Sequence, residues 1–71
     1  MVPIFEKNMV VQFNENHKWC GSLGIVDEVK DYPDGTKRYM VGVPMPEQGT
    51  AYIYVNSKEN AIEFIGWAIL V

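Results

Sequence analysis

The feature that most constrains the fold is a glycine-marked apolar segment that runs directly into a tight turn. Residues 19–29 read Trp-Cys-Gly-Ser-Leu-Gly-Ile-Val-Asp-Glu-Val, and residues 32–35 read Tyr-Pro-Asp-Gly. Glycine accepts backbone angles that other residues avoid, and a Pro-Asp-Gly step reverses the chain between two strands. The segment therefore predicts a strongly bent β-fold built around one tight hairpin.

Five short segments of the chain carry strand signals. They are residues 9–13, 23–30, 37–43, 50–55 and 61–71, the last divided by a kink at Gly66 into one strand and a second strand or extended tail. In the second segment Val26 and Val29 are three residues apart rather than two, which predicts a bulge near Asp27. The stretch 56–60 has room for a single 3₁₀ turn, capped by Asn56 or Ser57.

The chain of 71 residues has room for one domain, residues 1–71, whose core draws on a 48% hydrophobic content. Short strands, one tight hairpin and no long helix predict an all-β fold, a small SH3-like barrel of about five antiparallel strands with one 3₁₀ turn. The related OB-fold is the alternative, but it needs longer strands and a helix.

Charge and cysteine content narrow the class of protein. The net charge of −3 opposes the basic excess that phosphate binding requires, so a protein partner is favoured over a nucleic acid. A single cysteine and the lack of a basic region followed by an apolar stretch at the N-terminus predict a cytoplasmic protein. No apolar run is long enough to cross a membrane.

The sequence contains few side chains that could form a catalytic or metal-binding site. His17 and Cys20 lack the further ligands of a zinc site, and a polar loop histidine beside a buried thiol is the favoured interpretation. The hairpin acids do not match a calcium loop, and a solvated charged face accounts for them. These acids are Asp27, Glu28, Asp31 and Asp34. We therefore expect a protein that is not an enzyme and needs no metal or cofactor.

The chain also resembles two known groups of proteins. Val11-x-Phe13 followed by Gly21-x-x-Gly24-x-Val26-x-x-Val29 resembles the KOW-type motif of ribosomal and transcription-elongation proteins, over about half of the chain. The resemblance implies a small barrel that contacts RNA or RNA polymerase, which makes a nucleic-acid- or ribosome-associated module the alternative function. In overall style the chain also looks like the small proteins of phages and prophages of Gram-positive bacteria.

Aromatic residues are the candidate binding groups. The set consists of Trp19, Tyr39, Tyr52 and Tyr54. In residues 50–55 the alternation places Ala51, Ile53 and Val55 on a core face and leaves the two tyrosines outward. An outward tyrosine face predicts a macromolecular binding surface, and packing or a subunit interface is the other interpretation.

The apolar C-terminal segment, residues 67–71, needs to be covered. It can close the barrel against residues 2–5 or pair with the same segment of another chain. We expect a homodimer through Trp67, Ile69 and Val71. Together these predictions describe a non-enzymatic protein-interaction module.

Overall fold

A computed structural model describes residues 4–68, which form five β-strands and one 3₁₀ turn. The strands are β1 (Met9–Phe13), β2 (Leu23–Asp31), β3 (Lys37–Met45), β4 (Gly49–Asn56) and β5 (Ile62–Trp67), with the 3₁₀ turn at Ser57–Glu59. All pairings are antiparallel within one sheet of order β4-β3-β2-β1-β5. The predicted fold class, a small all-β domain of five antiparallel strands, is confirmed.

Strand β1 joins the two ends of the fold, because it pairs with β2 on one side and with β5 on the other. The sheet therefore has β4 at one edge and β5 at the other. Within residues 4–68 no ladder connects these two edges. The 3₁₀ turn links them along the chain, and the cap predicted for it is present. The Asn56 side chain accepts a hydrogen bond from the Lys58 backbone, and the Glu59 carboxylate accepts one from the Asn56 N–H group.

Two register shifts bend the sheet. The first lies between Val26 and Glu28 and leaves Asp27 unpaired with β3, which confirms the predicted bulge. The second lies opposite Val10 and Val11, where Ile65 is the extra residue of β5. The predicted break of the last strand at Gly66 is therefore wrong. The bulge takes up the bend one residue earlier, and Gly66 stays paired with Val10.

Strand β3 extends two residues beyond its predicted end, through Pro44 to Met45. The prolines had indicated a connection there, because proline cannot donate to a ladder. On the β2 side, however, the paired register of β3 ends at Gly42. Pro44 therefore interrupts no ladder with β2, and β3 continues beside β4 alone.

The core lies on the inner face of the sheet. Its largest fully buried side chains come from all strands except β5: Val11, Phe13, Val26, Tyr39, Val41 and Val55. Phe5, from the segment before β1, closes this layer with its ring edge-on to Tyr39 at 5.4 Å between centroids. Ile62 and Ala61 are also buried.

The hairpin turn between β2 and β3 has the chemistry that its sequence predicts. Gly35 has a φ of 89°, and its N–H group donates to the Tyr32 carbonyl. The Asp34 carboxylate accepts hydrogen bonds from the Thr36 hydroxyl (2.7 Å) and backbone N–H (3.0 Å), which lower the pKa of Asp34 below its ordinary value. Asp31 and Lys37 form an ion pair at the base of the turn.

Gly21 and Gly24, the two glycines of residues 19–29, have different structural roles. Gly21 has a φ of 95°, so it supplies the predicted turn into β2. Gly24 has no positive φ and does not bend the chain, which corrects the prediction. A Cβ at Gly24 would lie 2.5 Å from Cγ1 of Val41 and 2.9 Å from the carbonyl oxygen of Gly42. Gly24 is therefore glycine because β2 and β3 approach too closely for a side chain.

We predict that Gly24→Ala lowers the free energy of unfolding by about 1–3 kcal/mol, because the added methyl group overpacks the core against backbone. Urea denaturation measures this change in the free energy of unfolding. Gly66→Ala is the matched control, since a Cβ added at Gly66 would meet no heavy atom within 4 Å apart from its chain neighbours. Its stability should be unchanged or rise slightly. Equal losses in the two variants would contradict the close-approach explanation.

Candidate interaction surface

The outward side chains of β4 are the tyrosines that its alternation predicts. Tyr52 and Tyr54 are 55% and 56% exposed, whereas Val55 is buried and Ile53 packs against the core. Strand β4 is paired with β3 without interruption over its whole length, so the alternation is never shifted. The exposure of both rings therefore follows directly from the register.

The register places Tyr52 in a row of residues that crosses the sheet. Tyr52 lies opposite Gly42, Gly42 opposite Ile25, and Ile25 opposite Val10. A Cβ at Gly42 would lie 3.4 Å from Cε1 of Tyr52, so the ring packs closely over the glycine. Ile25, on the far side of the glycine, is 41% exposed.

A second row brings apolar and charged groups together. Tyr54 lies opposite Met40, and Met40 lies opposite Glu28. The guanidinium carbon of Arg38 lies 4.4 Å from the centroid of the Tyr54 ring, a cation–π contact that holds the ring in place. Lys30 lies opposite Arg38. The apolar surface thus ends in charged side chains of both signs.

We call this surface the outer face. It consists of five side chains on three adjacent strands: Leu23, Ile25, Met40, Tyr52 and Tyr54. Sequence reasoning found the two tyrosines and missed the other three. The missing signal was the strand register, because Ile25 and Met40 join the tyrosines only once β2, β3 and β4 are aligned.

Tyr39 does not belong to a binding surface, which corrects the prediction. It is 1% exposed, and its hydroxyl accepts a hydrogen bond from the Phe5 N–H group at 3.3 Å. Tyr39 shares the inner face of β3 with Val41 and Val43, so the alternation that leaves Tyr52 outward places Tyr39 in the core.

Trp19 lies in the loop between β1 and β2, partly buried against the core. Its backbone N–H donates to Nδ1 of His17 at 3.0 Å, and the His17 ring packs on Phe13 with 4.6 Å between centroids. The fold therefore uses Trp19 as packing and does not bring it to the outer face.

The remaining polar candidates form no cluster. Cys20 is exposed, so the expected buried thiol is wrong. Cys20 lies in the turn that precedes β2, where its backbone N–H group donates to the His17 carbonyl. Among residues 4–68 no group of three or more His, Cys, Asp or Glu side chains is arranged to hold a metal ion. The part of the chain described here contains no helix long and apolar enough to span a membrane.

Of the three C-terminal candidates, only Trp67 lies among the described residues, at the end of β5. Trp67 pairs with Met9 of β1, is 52% exposed and contacts the ring of Phe64 edge-on. Ile69 and Val71, the other residues of the expected dimer contact, lie outside the described residues. A homodimer through this segment stays a prediction.

Comparison with protein-family models, with curated proteins and with solved structures finds no match for this chain.

Two tyrosine substitutions test the assignment of the two faces. We predict that Tyr39→Ala removes about 3–5 kcal/mol of stability, as large aromatic truncations in a core do, and leaves the domain largely unfolded. Tyr52→Ala should cost only the cross-strand contacts of an exposed side chain, about 0.2–1 kcal/mol.

Circular dichroism during thermal unfolding measures both effects. A folded Tyr39→Ala variant, or a Tyr52→Ala variant as damaged as Tyr39→Ala, would contradict the division of the sheet into an inner core face and an outer interaction face.

Proposed function

We propose that this protein is a non-enzymatic binding module that recognises another protein through its outer face. The observation that carries the proposal is the pair of half-exposed tyrosines, Tyr52 and Tyr54, which continue an exposed aliphatic surface onto β2. The module works in the cytoplasm and needs no cofactor.

The composition of the outer face supports a protein partner. Exposed single apolar residues are ordinary on protein surfaces, but contiguous ones mark interaction sites. Tyrosine is enriched at such sites because it offers a large contact area and a hydroxyl while it loses little side-chain entropy. Arg38, Lys30 and Glu28 then supply the charged rim that surrounds the centre of a typical interface.

The charge of the chain supports the same choice. With nine acidic and six basic residues, the protein gains little from phosphate neutralisation, which supplies most of the non-specific affinity for nucleic acids. Glu28, which lies opposite Met40, adds a negative charge to the rim of the outer face.

A KOW-like nucleic-acid-binding module is the second candidate, and one observation favours it. Arg38 and Tyr54 form a cation and ring pair on which an exposed base can stack. This function predicts retention on RNA or single-stranded DNA that weakens steeply as salt is raised. Binding to a protein surface should depend far less on salt.

An affinity pull-down from host extract, with and without nuclease, tests the proposal. The wild-type chain should recover a specific protein in both conditions. The double variant Tyr52→Ala, Tyr54→Ala should recover at least tenfold less of that protein than the wild type, because it removes the centre of the outer face. Recovery that disappears with nuclease would instead support the nucleic-acid alternative.

The matched control is Phe64→Ala, which removes a half-exposed aromatic side chain from β5, at the opposite edge of the sheet from the tyrosines. This control should retain the partner. If the double variant is folded and keeps every recovered protein, the outer face is not the binding site and the proposal is wrong.

A further inference from the structure

The β4 edge of the sheet lacks the devices that normally keep an edge strand from pairing. Edge strands are usually short, charged, interrupted by proline or distorted by a bulge. Strand β4 has 8 residues, Gly-Thr-Ala-Tyr-Ile-Tyr-Val-Asn, with no charge and no proline. Its register with β3 shows no shift. This edge is therefore regular over residues 50–55, and the Glu59 carboxylate caps only its last N–H group, that of Asn56.

The opposite edge is protected, which makes β4 the more exposed of the two. Strand β5 is shorter, with 6 residues, and contains both the Ile65 bulge and the charged Glu63. A bulge twists an edge away from a regular ladder, and a charge at the edge opposes its own copy in a symmetric pair. A strand that adds to this sheet therefore meets less resistance at β4.

The backbone groups that face the open edge can be assigned. In an antiparallel ladder both polar groups of a residue point to the same side, and successive residues alternate. The Asn56 N–H group bonds Glu59 rather than β3. Pro44, opposite Thr50, has no N–H to give. Both observations place the backbone groups of residues 50, 52, 54 and 56 toward the edge.

We propose that this edge pairs with β4 of a second copy of the same chain, antiparallel across a two-fold axis at Ile53. Directly opposed residues must lie on the same face of a sheet, so the register is restricted. Gly49, although paired with Met45, has a φ of 82°, so the extended stretch that can pair with a new strand begins at Thr50. Centring the pair on Ile53 then spans residues 50–56, and of the N–H groups that face the edge only that of Asn56 is already bonded, to Glu59.

The sequence is complementary to itself in this register. On the inner side Ala51 faces the partner's Val55, and Ile53 faces its own copy. These are apolar contacts, and they cover Ala51 and Ile53, which are now only partly buried, whereas Val55 is already buried. On the outer side Tyr52 faces the partner's Tyr54, an aromatic cross-strand pair. No like charges meet, because the strand has none.

Pairing at the edge is independent of partner binding by the outer face, because the pairing uses backbone groups. It would also join the outer faces of the two copies into one continuous surface. Two double variants separate these roles. Tyr52→Lys with Tyr54→Lys places a lysine at position 52 opposite the partner's lysine at position 54, twice across the two-fold axis. Tyr52→Lys with Tyr54→Glu removes the same tyrosines but places lysine opposite glutamate.

Analytical ultracentrifugation of the full chain reads out the pairing, with circular dichroism to confirm folding. The wild-type protein should sediment at twice its mass of 8.1 kDa. The lysine–lysine variant should fall to the monomer mass, and the lysine–glutamate variant should keep the dimer. Both variants should lose the outer-face partner, so failure of one proposal does not affect the other.

Three results would overturn the proposal. The wild type could be monomeric at high micromolar concentration, the lysine–lysine variant could remain dimeric, or the lysine–glutamate variant could be monomeric.

If the lysine–lysine variant does not fold, amide hydrogen exchange of the wild type tests the pairing instead. The Tyr52 and Tyr54 amides should exchange several-fold faster on dilution, while the Ile53 and Val55 amides, which face β3, stay protected. Exchange at Tyr52 and Tyr54 that does not depend on concentration overturns it equally.

Discussion

Strand β3 holds this structure together through its inner side chains, because Tyr39, Val41 and Val43 occupy the middle of the core. Val41 lies opposite Val26, and its side chain also leaves no room for a side chain at position 24 of β2, where only glycine fits. The neighbouring elements pack against this row: Phe5 closes one end on Tyr39, and β4 follows β3 without a shift. In so small a domain little else is available to stabilise the fold.

Because successive side chains of a strand point to opposite faces, the inner row of β3 also determines what remains outside. Met40 and Gly42 face outward on β3, and the register brings Ile25 and Tyr52 against Gly42. These outer residues add nothing to the core that the inner row builds. Their apolar character is therefore better explained by an interaction than by folding, which is why the proposed function rests on this face.

The sequence predicted the elements that depend on local chemistry. The first strand, the Asp27 bulge, the Pro33-Asp34-Gly35 turn and the capped 3₁₀ turn each follow from residues within a few positions of one another. What local chemistry could not supply was pairing between distant segments. The sequence around Gly24 predicts a bend, because the close neighbour that requires a glycine there, Val41, lies on another strand. Likewise Tyr39 has the composition of a binding residue, and only its place in the inner row of β3 makes it core.

The most direct test of this account is the urea unfolding free energy of a variant whose outer face is made polar while its strand propensity is kept: Ile25→Thr, Tyr52→Thr, Tyr54→Thr. The account predicts a folded domain that has lost only about 0.5 kcal/mol per substitution, as surface changes do. A variant that unfolds, or loses several kcal/mol as core truncations do, would show that the outer face is part of what holds the fold together and would contradict the assignment of that face to binding.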